Sequence, residues 1–201
     1  MKVLLLGEYS ALHKNLKEGL LELGHDAVIA ASGDGFKKIP CDINLESPLN
    51  GLPRRIHRKL MPLFRADELT GYDVCQLINP FVFYIPYLTK FYMKRIIDEN
   101  DKFFVLGAGD DAYYWRYARF AMDYSPTEDF LKYDLKKDKY FMDTDAAFSF
   151  NKWIFEKANG VIPIMYDYEV GLKLLPNLKR TIPIPMNTKI IEYSPNIVRD
   201  K

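Results

Sequence analysis

The chain has 201 residues, 48% of them hydrophobic and 27% charged, and a formal net charge of +1. That length fills one domain with a sizeable core, and the near balance of charge excludes bulk attraction to nucleic acid. Cys41 and Cys75 stand apart, and His13, His25 and His57 do not cluster with them, so no metal-ligand pattern arises and a reducing compartment fits.

The chain opens on a short apolar run, Lys2-Val3-Leu4-Leu5-Leu6-Gly7. It is far too short for a signal peptide or a membrane span and reads as a buried strand. Leu12, Leu16, Leu20 and Leu23 follow at helical spacing, and Gly24 supplies a left-handed cap before a second apolar run, Ala27-Val28-Ile29-Ala30. Strand, helix and strand make a βαβ unit, the seed of a doubly wound parallel α/β sheet with helices on both faces. Its first turn, Gly7-Glu8-Tyr9-Ser10-Ala11-Leu12, lacks the Gly-x-Gly-x-x-Gly that lets backbone approach a pyrophosphate. A carboxylate, a phenol and a hydroxyl stand there instead, suited to a polyhydroxylated ligand, and no dinucleotide or other cofactor is expected.

Ser32-Gly33-Asp34-Gly35 and the stretch at 40–53 read as a long polar connection. Beyond it, Arg54, Arg55, Arg58, Lys59 and Arg65 are packed among apolar residues. Such a segment suits anionic headgroups or a lipid-linked pyrophosphate, or else forms a solvated helix with Ile56, Leu60, Leu63 and Phe64 buried. A third strand at 72–78 stops at Asn79-Pro80, a helix follows at 85–99, and a fourth strand at 102–106 ends in Gly107-Ala108-Gly109-Asp110-Asp111. Residues 112–142, rich in aromatic and charged side chains, read as helical excursions over one sheet face. A helix at 144–158, a strand at 160–165, a short helix at 167–175 and a sixth strand at 181–185 complete the pattern. Pro163, Pro183 and Pro185 place an edge or a bulge among these last strands.

In an open parallel sheet, ligands bind beyond the carboxyl ends of the strands. That rule gathers Glu8, Tyr9 and Ser10 after strand one, Asn79 and Pro80 after strand three, Gly109, Asp110 and Asp111 after strand four, and Tyr166, Asp167 and Tyr168 after strand five. Carboxylates, amides and phenols over glycines form a sugar subsite, although Ser10, Asp110, Asp111 and Asp167 would serve equally as helix caps. Asp143-Thr144-Asp145 has a metal-binding form, but it precedes a helix, where acidic residues belong for capping, so no metal site is assigned.

The opening strand-helix-Leu23-Gly24-His25-Asp26, the Tyr72-to-Pro80 segment, the Gly107-to-Asp111 turn, Gly160-Val161-Ile162-Pro163 and the exit Ile182-Pro183-Ile184-Pro185-Met186-Asn187 resemble the amino-terminal half of a GT-B glycosyltransferase. Closest in character are the family-four enzymes of bacterial polysaccharide biosynthesis. The resemblance implies a Rossmann-like acceptor-binding domain over residues 1–187, and an interdomain linker beginning over 188–201. It implies a partner lobe that binds the nucleotide-sugar donor, a glycan or lipid-linked acceptor, and a chain that is inactive without that lobe. It also implies acceptor contact by Glu8, Tyr9, Ser10, Asn79, Gly109, Tyr166 and Asp167, and a catalytic role for Asp110 or Asp111 in binding the acceptor hydroxyl. Membrane-active relatives carry a basic patch on this half, here Arg54, Arg55, Arg58 and Lys59, which places the protein in the cytoplasm at the inner face of the membrane. The rival reading is a non-catalytic, flavodoxin-like binding or regulatory module. In its response-regulator form it lacks the required aspartate after strand three, where Asn79-Pro80 stands.

Overall fold

The computed structural model describes residues 1–133 and 141–188. The expected linker beyond residue 188 and the lysine-rich end of the 112–142 segment lie outside the described residues.

Six parallel strands form the sheet: β1 (Lys2–Leu6), β2 (Asp26–Ala31), β3 (Ile43–Asn44), β4 (Val74–Leu77), β5 (Phe103–Gly107) and β6 (Gly160–Pro163). Their spatial order is β3-β2-β1-β4-β5-β6, which makes the domain α/β, doubly wound and Rossmann-like. Strands that bury both faces need apolar side chains at successive positions, and β1 meets that need. Leu4 and Leu6 join the larger core, with Met61, Tyr92, Ile96, Trp115 and Phe155, while Val3 and Leu5 pack on the other face with Ala27, Ile29 and the half-buried Leu16 and Leu20.

The larger core is covered by α2 (Gly51–Phe64), α3 (Thr89–Asp98) and α6 (Asp145–Lys157). The opposite face carries α1 (Leu12–Glu22). The π-helical turn at Tyr114–Ala118, continued by α4 (Arg119–Ala121), and α7 (Tyr166–Leu172) add Tyr114, Trp115, Ala118 and Leu172 to the same larger core, and α5 (Pro126–Tyr133) follows α4 in the chain.

The sequence expectation of six strands holds in number but not in membership. β3 lies inside the stretch read as a loop; at two residues it is too short to show alternation, yet Ile43 and Leu45 are buried. The expected strand at 181–185 does not form. The chain before it meets β6 through Val161 N–H to the Asn177 carbonyl (3.1 Å) and Lys179 N–H to the Val161 carbonyl (2.8 Å), and the segment itself adds Ile182 N–H to the Pro163 carbonyl (2.9 Å). Pro183 and Pro185 have no N–H to continue the ladder, so no bulge is needed. The chain instead crosses to α1, where Asn15 Nδ2 donates to the Pro185 carbonyl at 3.1 Å.

The helix expected from residue 85 starts only at Thr89, because Pro86 and a left-handed Tyr87 (φ 63°) precede it. The basic segment is helical as α2, but the apolar stripe is only partly buried: Ile56 and Phe64 face solvent. Thr144 caps α6, accepting from Ala147 N–H at 3.3 Å. Its flanking carboxylates go to separate arginines, Asp145 to Arg116 (2.8 Å) and Asp143 to Arg119 (3.5 Å), and among the described residues no group of three potential ligands is placed to hold a metal ion. Thr144→Ala is expected to lower stability by about 1 kcal/mol, read by urea denaturation. Among the described residues, no helix is long and apolar enough to cross a membrane.

Candidate functional site

Strand order reverses between β1 and β4, so their loops diverge and open a crevice at the carboxyl edge of the sheet. The crevice encloses about 300 Å3 and is lined by Gly7, Glu8 and Tyr9 after β1, Ser32, Asp34 and Gly35 after β2, Phe81, Val82 and Phe83 after β4, and Arg58 and Lys59 of α2.

Glu8 lies on its floor, buried, and its carboxylate is turned to α1. One oxygen accepts from Lys14 N–H at 2.8 Å and the other from His13 N–H at 3.3 Å. These are the orphan amides of a helix start, the groups that hold the pyrophosphate in a dinucleotide-binding fold. The chain supplies its own anion to that seat. Burial raises the Glu8 carboxyl above the usual range, opposed by the N–H bonds from Lys14 and His13. His13 sits fully buried beneath it, with Nδ1 2.6 Å from the Gly7 carbonyl and Nε2 3.2 Å from Gln76 Nε2. Those partners assign a neutral ring with the proton on Nδ1, and burial lowers its pKa to about 4. Glu8 is thus foremost a cap of α1, and only secondarily the ligand contact expected of it.

The rest of the turn is held without glycine. Ser10 and Ala11 both take left-handed backbone (φ 53° and 65°), a costly conformation that the surroundings must enforce. Asp34 does so by accepting Ser10 N–H at 2.8 Å. Lys37 Nζ closes the arrangement, 2.6 Å from Ser10 Oγ and 2.9 Å from Asp34. The Ser10 hydroxyl is therefore committed to Lys37, whereas Tyr9 leans over the loop after β5: a Cβ on Gly109 would stand 3.5 Å from its ring. Burial, then Asp34, Asp110 and Tyr168, raise the Tyr9 phenol well above its ordinary range.

Asn79 is a correction to the acceptor contacts. Its Nδ2 donates to the Ala108 (2.9 Å) and Asp110 (3.1 Å) carbonyls, and its Oδ1 accepts Phe81 N–H at 2.8 Å. The buried amide staples the loops after β4 and β5 together. Asp111 is corrected likewise: it is buried, accepts Tyr114 N–H at 2.7 Å, and caps the following helix. Burial raises its pKa to about 7, against the N–H bonds from Tyr114 and Tyr113. Asp110, half-exposed beside the left-handed Gly109 (φ 79°), does not itself line the crevice, but its charge acts on Tyr9, which does. Its charge, after burial, raises both Tyr114, to about 12, and Tyr168. Tyr166 and Asp167 stand exposed at the start of α7, on the β6 side and off the crevice; the Tyr166 ring has Lys173 Nζ 5.7 Å from its centre.

The basic residues prove to be neighbours of this crevice. Lys59 donates to the Tyr84 carbonyl at 2.7 Å, its pKa lowered by burial and then by Arg58, and Arg54 pairs with Glu46 at 3.2 Å. Sequence reasoning missed Ser32, Asp34 and Phe81. The first two were within reach of the strand-end rule, since Ser32-Gly33-Asp34-Gly35 directly follows β2.

Compared with known protein families and with curated proteins, the sequence finds no match. Among solved structures, it is similar to the 3-alpha-hydroxysteroid dehydrogenase from Pseudomonas sp. B-0831 complexed with NADH, with a TM-score of 0.36 and 16% identity over 87% of this chain and 86% of that one. A likeness that distant does not bear on activity.

Proposed function

We propose that the crevice binds the hydroxyl-bearing acceptor of a glycosyl transfer, so that the domain is the acceptor-side lobe of a glycosyltransferase of GT-B type. The observation that carries the reading is the Glu8 carboxylate on the first amides of α1. A buried anion there repels a nucleotide phosphate from its usual seat, while Tyr9, Ser32 and Asp34 keep hydroxyl-binding chemistry around the remaining space.

In this reading Asp110 receives a hydrogen bond from the acceptor hydroxyl, with Tyr9 and Tyr168 around it; Asp111 is spent on capping. The nucleotide-sugar donor is bound by a second lobe facing the strand ends, where the charge developing on the leaving diphosphate is stabilised. Without that lobe no turnover is expected. The basic residues of α2 would bring the acceptor's lipid, and with it an anionic membrane face, to the same side.

Saturation-transfer NMR against a panel of mono- and disaccharides tests this. Asp110→Asn is expected to weaken the best-binding saccharide about tenfold, the equivalent of one charge-assisted hydrogen bond. Saccharides that fail to bind, or that bind the variant equally well, would contradict it.

A further inference from the structure

Between the start of α3 and the start of α6 lies a second cleft, of about 410 Å3, which shares no lining residue with the crevice. Tyr84, Pro86 and Tyr87 form the wall before α3, and Ala146, Ser149 and Phe150 of α6 complete it. The Tyr84 ring lies 4.7 Å from that of Phe150 and is stacked on Phe141 at 6.2 Å, so the wall is one side of an aromatic cluster. Its polar groups are unspent. Tyr84 is only 7% exposed, yet among the described residues its hydroxyl makes no hydrogen bond, a cost that an acceptor on a ligand removes. Lys90, also on the lining, forms no ion pair among the described residues, and its Nζ stands 5.5 Å from the centre of the Trp153 ring. The Ser149 hydroxyl likewise has no partner among them. The one carboxylate of the lining, Asp145, is paired with Arg116 at 2.8 Å. Tyr87, 95% exposed, is the centre of a γ-turn closed by Leu88 N–H on the Pro86 carbonyl at 2.8 Å. With φ at 63° this is the rare, strained form of the turn, and Thr89 Oγ1 holds the loop by accepting Ile85 N–H at 2.6 Å.

We infer that this cleft binds a small planar aromatic carboxylate, with its ring against Tyr84 and Phe150 and its carboxylate on Lys90 and the free hydroxyls of Tyr84 and Ser149. A flat ring matches the aromatic wall through offset or edge contacts. An acceptor-only anion matches a lining whose unspent groups all donate. One negative charge matches one ammonium. A phosphate monoester carries close to two, which would leave charge uncompensated beside Asp145, and none of the unspent groups is an arginine fork. Tyr87 supplies a free-standing ring for the solvent side of the ligand. The site is separate from the acceptor crevice and does not rest on the acceptor-lobe reading.

Backbone NMR titration of the full chain with indole-3-acetate tests it. The amides of Tyr87, Lys90, Ala146 and Ser149 should move, and those of residues 7–9 and 32–35 should stay where they are. Indole-3-acetamide, which keeps the ring and loses the charge, is expected to bind about tenfold more weakly. Lys90→Gln should bring acid and amide to the same affinity. Tyr84→Phe should weaken the acid about fivefold without lowering the melting temperature, since the hydroxyl has no partner in the chain to lose. Indole-3-acetate that moves none of the four amides, an amide that binds as tightly as the acid, a preference for the acid that survives Lys90→Gln, or hexanoate that binds as tightly as the aromatic acid would overturn the inference.

Discussion

Gly7→Ala is expected to be the most damaging single-methyl change in the domain, at about 3 kcal/mol, the sum of left-handed strain and overpacking. Gly7 ends β1 at φ 88°, and a Cβ there would stand 2.3 Å from Ile78 Cγ2 and 3.3 Å from Ile78 Cβ. Ile78 is wholly buried, so it has no room to retreat. The contact joins the ends of β1 and β4, the two strands that flank the crevice, and the damage should extend to ligand binding. Gly24→Ala is the control. Its φ of 78° is also left-handed, but its Cβ would meet nothing within 4 Å, so it should cost only about 1 kcal/mol. Urea denaturation of both variants measures the difference, and equal losses would refute the packing argument.

The second large effect is on pH dependence, where two buried groups pull in opposite directions. Asp111 has a pKa raised from 3.8 to about 7, so the folded chain binds more protons than the unfolded one across that window. Stability therefore rises as pH falls through it. His13 has a pKa lowered from 6.5 to about 4, so the unfolded chain binds more protons there and stability falls as pH drops. The slopes oppose each other between about pH 4 and 6.5 and largely cancel. Asp111→Asn keeps an N-cap oxygen but removes one slope. The variant is expected to lose roughly 3 kcal/mol on going from pH 7 to pH 4, while the parent changes far less. Denaturation midpoints across that range check it, and parallel profiles would show that Asp111 does not carry the compensation.

The frame was legible where both sheet faces demand apolar residues. β1, β2, β4, β5 and β6 announce themselves as near-continuous runs, and Gly24 marks the end of the first βαβ helix. What escaped was governed by contacts distant in sequence. β3 is fixed by hydrogen bonding to β2, as in Leu45 N–H to the Ala31 carbonyl at 2.9 Å, not by its own pattern. The failure of 181–185 to form a strand was written in its prolines, whose missing donors outweigh its isoleucines.

The site divides in the same way. The strand-end rule placed Tyr9, Gly109 and Asp110 at one rim. It could not foresee that Asn79 spends its amide on the neighbouring loop, or that Glu8 folds under onto α1. Both outcomes depend on unpaired backbone groups that only the assembled sheet brings within reach. The adjacency of Arg58 to the crevice is also tertiary, since α2 joins the rim by packing rather than by position in a βα turn.

The most direct test is a backbone amide shift map of the chain titrated with NADH and, separately, with the best-binding saccharide. The saccharide should move the amides of residues 7–10, 32–35 and 81–83, while NADH leaves those of Leu12, His13 and Lys14 where they are, because Glu8 already holds that helix start. A saccharide that leaves the crevice untouched, or NADH that shifts the first amides of α1, would contradict the account.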